Sequence, residues 1–113
     1  MYARVSEFRV PLEKLNEFKA AVESVVPLAY KEPGFRGLLV LKGEGSPVLA
    51  RVISLWDSLE HLKASENSMY LYKALARGLE FSKGFPIMEE NEVLVGALVA
   101  REPAPSSGRV RVN

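Results

Sequence analysis

The 113-residue chain has no cysteine, one histidine and one tryptophan. The lack of cysteine excludes disulfides, thiolate metal sites and a cysteine nucleophile, and it fits a reducing cytoplasm. A lone imidazole offers no partner for a histidine-based metal site and no basis for a Ser-His-Asp set, so no metal is expected. Charge imbalance is also missing: 15 basic residues face 14 acidic ones, for a net charge of +1. With no basic run or patch there is no electrostatic footprint for DNA or RNA, and no nucleic acid partner is expected. No uninterrupted apolar stretch approaches the roughly 18 residues that suggest a membrane span. In "MYARVSEFRV" the charges of Arg4, Glu7 and Arg9 stand where a signal peptide would carry its apolar core. The expectation is a single-domain cytoplasmic protein with no membrane partner.

What is present is a pattern of alternating periods. "YARVSEFRV", residues 2–10, reads as a strand that Pro11 ends. Across residues 12–31, Leu15, Phe18, Val22, Val25 and Ala29 recur at three- and four-residue steps, a helical stripe, with Pro27 loosening its last turn. "EPGFRG" stops that helix. "FRGLLVLKG" and "PVLARVISLW" form a hairpin about Gly43–Ser46. "GEGS" lacks the spacing and the Lys-Ser/Thr pair of a phosphate loop, so it is a turn. Asp57 or Ser58 caps a second helix, which "SENS" at 65–68 breaks or re-caps. Its stripe is read as Leu59, Leu62, Met69, Tyr72, Leu75 or Ala76, and Leu79. "KGFPIMEEN" reads as a loop and "EVLVGALVA", residues 92–100, as the last strand. Residues 102–113 form a Pro/Ser/Gly-rich extension, in which Arg109 and Arg111 aid solvation or "RVRV" adds an edge strand.

The order β-α-β-β-α-β is the split βαβ, or ferredoxin-like, arrangement: an α+β protomer with one antiparallel sheet and two helices on one face. It occupies residues 1–101. The strand 47–56 is apolar on both faces, with Val48, Ala50, Val52 and Trp56 on one and Leu49, Ile53 and Leu55 on the other. The strand read at the C-terminal end is apolar on both faces as well. Two helices cover only one face, and a wet face should be polar. A second copy of the chain, packed sheet to sheet as a homodimer, is the simplest cover.

With this order, the "EPGFRG" stop, and the strand ending "SLWDS" followed by "EHLKASENS", residues 1–100 resemble the antibiotic-biosynthesis monooxygenase-like proteins of the dimeric α/β-barrel superfamily. The resemblance implies a protomer whose sheet packs on its twin to form a barrel, with a small-molecule pocket between helices and sheet. Some relatives oxidise aromatic polyketide substrates with molecular oxygen and no metal or flavin cofactor. Others degrade haem, with an Asn, a Trp and a His whose places fall on Glu7, near Ser65 and near Leu75 here. All three are replaced, so haem degradation is not expected. The cofactor-free enzymes use an Asn/Trp/Tyr-type cluster, for which Trp56, Asn67, Tyr70 and Tyr72 are the residues of the right kind.

Each candidate has a plainer reading beside the chemical one. Trp56 either contacts substrate or packs at the helix entrance. His61 is either a general base at a pocket rim or a solvent-facing side chain. Tyr70 and Tyr72 cannot both face inward, and the stripe favours Tyr72 as the pocket-lining hydroxyl. Glu7 and Arg51, charges among apolar neighbours, either pair with each other or the twin subunit, or line a polar pocket end. The catalytic candidates are therefore His61 and Tyr72, and the binding candidates Glu7, Arg51, Trp56, Asn67 and Tyr70. The expected activity is cofactor-independent oxidation of a small aromatic or apolar molecule; the alternatives are a non-catalytic binding or stress-related dimer and an isomerase-like or lyase-like reaction.

Overall fold

The structure, a computed structural model, describes residues 1–98. Strand β1 is Tyr2–Val10, and a single 3-10 turn at Leu12–Lys14 leads into α1, Leu15–Ala29. Strands β2, Phe35–Lys42, and β3, Val48–Trp56, form the hairpin. Helices α2, Leu59–Ser65, and α3, Met69–Glu80, follow, and β4 is Ile87–Glu92. The sheet order is β2-β3-β1-β4 and every neighbouring pair is antiparallel. This is the ferredoxin-like α+β fold anticipated from the sequence.

The second helical region is split as its composition suggested. Ser58 caps α2, its hydroxyl accepting the His61 N–H at 3.1 Å. Ser68 caps α3 in the same way through Leu71 N–H at 3.4 Å. Each serine satisfies a donor that a helix start leaves open, so α3 begins with its own phase. That phase corrects the predicted stripe. Tyr70 and Gly78 are buried, whereas Met69 and Tyr72 are exposed.

The last strand is also corrected. Residues 87–91, read as part of a loop, and Glu92, read as the start of the last strand, pair with β1 from Glu7↔Ile87 to Tyr2↔Glu92. Residues 93–98 form no strand, and 99–100, like the predicted 102–113 extension, lie outside the described residues. Intrinsic β-propensity favours "EVLVGALVA", but strand choice depends more on the neighbour than on composition. As an edge strand, β4 tolerates four polar residues in six.

Alternation divides the sheet into two faces. On the helix side, Phe8, Val10 and Ala50 pack with Phe18 and Val22 of α1. Trp56 joins Val25, Ala29, Leu62 and Tyr70 in a second cluster. Trp56, Phe18, Leu62 and Val10 are fully buried, and burying side chains of this size stabilises by roughly 1.5–3 kcal/mol each. The opposite face carries Val5, Leu49, Ile53 and Leu55 in the two central strands. The flanking strands add Leu39, Leu41 and Ile87 to it, which are 43%, 43% and 55% exposed.

Candidate functional site between the helices and the sheet

The helix face of β1 reads Tyr2, Arg4, Ser6, Phe8, Val10, so its apolar half gives way to Ser6 and then Arg4. Arg4 is only 3% exposed. Its Nη2 donates to the Leu62 carbonyl at 3.0 Å and to Ser65 Oγ at 2.7 Å. Ser65 is itself fixed by donating to Leu62 O at 2.6 Å. The guanidinium carbon lies 5.7 Å from the centre of the Trp56 ring, a cation–π distance. The other terminal nitrogen, Nη1, is buried without a hydrogen-bond partner among the described residues.

Arg4 lines a cavity of about 40 Å³ under α3. Ser6, Ser54 and Tyr70 supply its other polar groups, and the rest of its wall is apolar, including Phe8, Val25, Leu38, Val52, Leu71 and Leu75. Trp56 stands behind this wall. Its indole N–H donates to Ser54 Oγ at 2.9 Å, and its ring centre is 6.2 Å from that of Tyr70. The cavity as it stands has room for a water molecule or so. Outside it, Arg4 also borders an open cleft of about 340 Å³ with Glu66, Met88, Glu89 and Glu90.

The electrostatics follow from this placement. Burial lowers the Arg4 pKa, opposed by Tyr70, Glu66 and Glu90, yet a guanidinium stays charged at neutral pH. Burial raises the Tyr70 phenol above its ordinary value, with the Arg4 charge and the Ser54 hydroxyl pulling it back. At the cleft, the hydrogen bond between their carboxyls raises Glu66 and lowers Glu90. Lys63 closes on Glu90 at 3.0 Å and is itself raised by that contact.

Of the residues anticipated from sequence, the fold brings two together here, Trp56 and Tyr70. His61 is not at the cavity. Its imidazole packs on Gly34 and its Nδ1 shares a 2.8 Å hydrogen bond with Ser58 Oγ. Tyr72 is 69% exposed, because the α3 phase turns Tyr70 inward in its place. Asn67 is exposed in the α2–α3 joint. Glu7 and Arg51 lie on the opposite face of the sheet, where Arg51 Nε donates to Glu7 Oε2 at 2.8 Å; of the readings open for them, pairing with each other is the one observed. Arg4, Ser6, Ser54 and Ser65 were missed. Their signal was in register: Arg4 and Ser6 share the period of Phe8 and Val10, and Ser54 that of Val52 and Trp56.

A haem iron would need an axial ligand such as a neutral imidazole. The single histidine is held at the start of α2 and is absent from the cavity wall, so no imidazole is placed there to hold a haem iron. Among the described residues no three His, Cys, Asp or Glu side chains cluster to hold a metal, and no helix is long and apolar enough to cross a membrane.

A ferredoxin-like sheet with a mixed apolar and polar cavity under its helices defines the class. Residues 1–77 match the family model described as antibiotic biosynthesis monooxygenase, and the chain belongs to that family. No curated protein matches it. Among solved structures it is similar to one from Nitrosomonas europaea that bears the family's provisional name, at 15% identity and a TM-score of 0.70, covering 84% of this chain and all of that one. A haem degrader from Mycobacterium tuberculosis, solved with two haems in its active site, has a TM-score of 0.70 at 19% identity over 86% of this chain and 99% of its own. An anthrone oxidase-like protein has a TM-score of 0.69 at 24% identity, over 83% of this chain and 44% of that one. At these identities the structural likeness is one of fold.

Proposed function

We propose that this protein is a cofactor-independent oxygenase acting on a small aromatic or apolar molecule bound between α3 and the sheet. The observation that carries the reading is the cavity: apolar walls for a ring, with a buried cation and a phenol at one end. Family membership supports oxidation, and the anthrone oxidase-like neighbour suggests the substrate type. For an activated ring CH2, one molecule of oxygen suffices: one atom becomes the new carbonyl oxygen and the other leaves as water with both hydrogens. Arg4, Ser54 and Tyr70 would orient the ring oxygen, and the apolar wall would exclude bulk water. Oxygen uptake by the purified protein with chelator and anthrone- or quinol-type substrates tests this. Uptake matching substrate loss is expected; no uptake across the panel overturns it.

The same proposal includes a homodimer through the open face of the sheet, supported by the apolar surface that Leu39, Leu41 and Ile87 leave exposed. A non-catalytic binding dimer is the second reading. It is favoured by the absence, among the described residues, of a histidine or carboxylate from the cavity wall, and saturable binding without oxygen uptake would establish it.

A further inference from the structure

We propose that Arg4 Nη1 is the recognition point for a single anionic oxygen, so that the cavity selects aromatic ligands with an ionisable hydroxyl and holds them as the phenolate. The inference rests on the proposed pocket and names its ligand class. A buried donor on a charged group without an acceptor is costly to leave unmade, and Arg4 combines 3% exposure with an unpartnered Nη1 in a residue lining the cavity. Of the Arg4 nitrogens, Nη1 is the buried one without a partner among the described residues. Nη2 is committed to Leu62 O and Ser65 Oγ, with both distances at or below 3.0 Å. A carboxylate binds best across both nitrogens, so one free nitrogen suits one oxygen.

The surroundings agree on the kind of oxygen. Ser6, Ser54 and Tyr70 border the same cavity and offer hydroxyl donors, while apolar side chains form the remaining wall and suit a flat ring. The charges that face Arg4 are Glu66 beside the α2–α3 joint and Glu90 on β4, with the Tyr70 phenol on α3. The two carboxyls line the open cleft that Arg4 also borders. They oppose the lowering that burial imposes on the guanidinium, and neither hydrogen-bonds Nη1. The cavity is only about 40 Å³, so ligand entry requires a shift of α3, which starts afresh at its Ser68 cap.

The test uses 4-nitrophenol, whose ionisation is visible by absorbance, and 4-nitroanisole, the same ring without the acidic proton. Binding is followed by fluorescence of Trp56, the chain's only tryptophan. An apolar pocket alone raises the pKa of a bound phenol, whereas an adjacent cation lowers it. For the unaltered protein we expect the bound phenol to ionise about one pH unit lower than in water, and to bind roughly tenfold tighter than nitroanisole. Arg4→Met should abolish both effects, and Arg4→Lys should retain part of the shift. Should Arg4→Met fail to fold, the sign of the shift in the unaltered protein still decides. An upward shift, equal affinity for the two probes, or tighter binding of 4-nitrobenzoate overturns the assignment. If nitroanisole binds and nitrophenol gains nothing, the pocket stands and the role of Arg4 falls; if neither quenches Trp56, both fall.

Discussion

The two faces of one sheet handle charge in opposite ways. Arg4 and Glu7 are three residues apart on β1 and therefore point to different sides. On the helix side Arg4 is buried against serine and carbonyl oxygens, with no carboxylate in hydrogen-bond contact and one nitrogen left over. On the open side Glu7 and Arg51 face each other across β1 and β3 and neutralise one another at 2.8 Å. A closed ion pair has little left to offer a ligand. A buried cation with an unused donor is a recognition element. The difference lies in what each residue is paired with.

The largest test of this contrast targets the open face. Ile53→Lys should convert a dimer into a single chain of 12.5 kDa, read by size-exclusion chromatography with light scattering. An unaltered protein already of that mass would mean the face is wet. Trp56→Ala should cost about 3–5 kcal/mol in urea unfolding, because it empties the centre of the helix-side core. Gly78→Ala should cost about 1–3 kcal/mol by overpacking, since a Cβ there would lie 2.8 Å from Phe8 Cε2, and that ring is held by Phe18 at 5.1 Å. In the separated Ile53→Lys chain, a double-mutant cycle of Glu7→Gln and Arg51→Gln should return a coupling of only about 0.2–1 kcal/mol, as for other solvent-accessible pairs.

The smallest effect appears in alkali. Tyr70 has its ionisation raised from 10.0 by burial. The unfolded chain therefore loses this proton first, so the Tyr70 contribution is intact below pH 10 and declines as pH rises above it. Melting temperatures of the unaltered protein and Tyr70→Phe should converge or cross above pH 10; a constant difference would mean that the phenol is not desolvated.

The order of elements was legible because hydrophobic period changes sharply at Pro11, Pro33 and Asp57, and because a buried face leaves little freedom of register. The last strand was not. Its place is set by pairing with β1 and by the Lys63–Glu90 contact, and neither is visible in the local run "IMEENE". The site was half legible. Trp56 and Tyr70 could be named as rare aromatics near the second helix, but choosing Tyr70 over Tyr72 required the phase that Ser68 resets. Arg4 counted only as a charge against a signal-peptide core until the strand placed it on the same face as Ser6 and Phe8.

The stop signal "EPGFRG" and the segment "LWDSLEHL" turn out to be halves of one clasp. Gly34 sits at φ +80° directly beneath the His61 ring, and its carbonyl accepts the Asp57 N–H at 2.8 Å. A side chain at 34 would meet both a disfavoured backbone region and an occupied space. The two positions therefore form a lock and its keyway: exchange at 34 demands a smaller residue at 61, and the pair should travel together as a unit when segments of this fold are grafted between proteins.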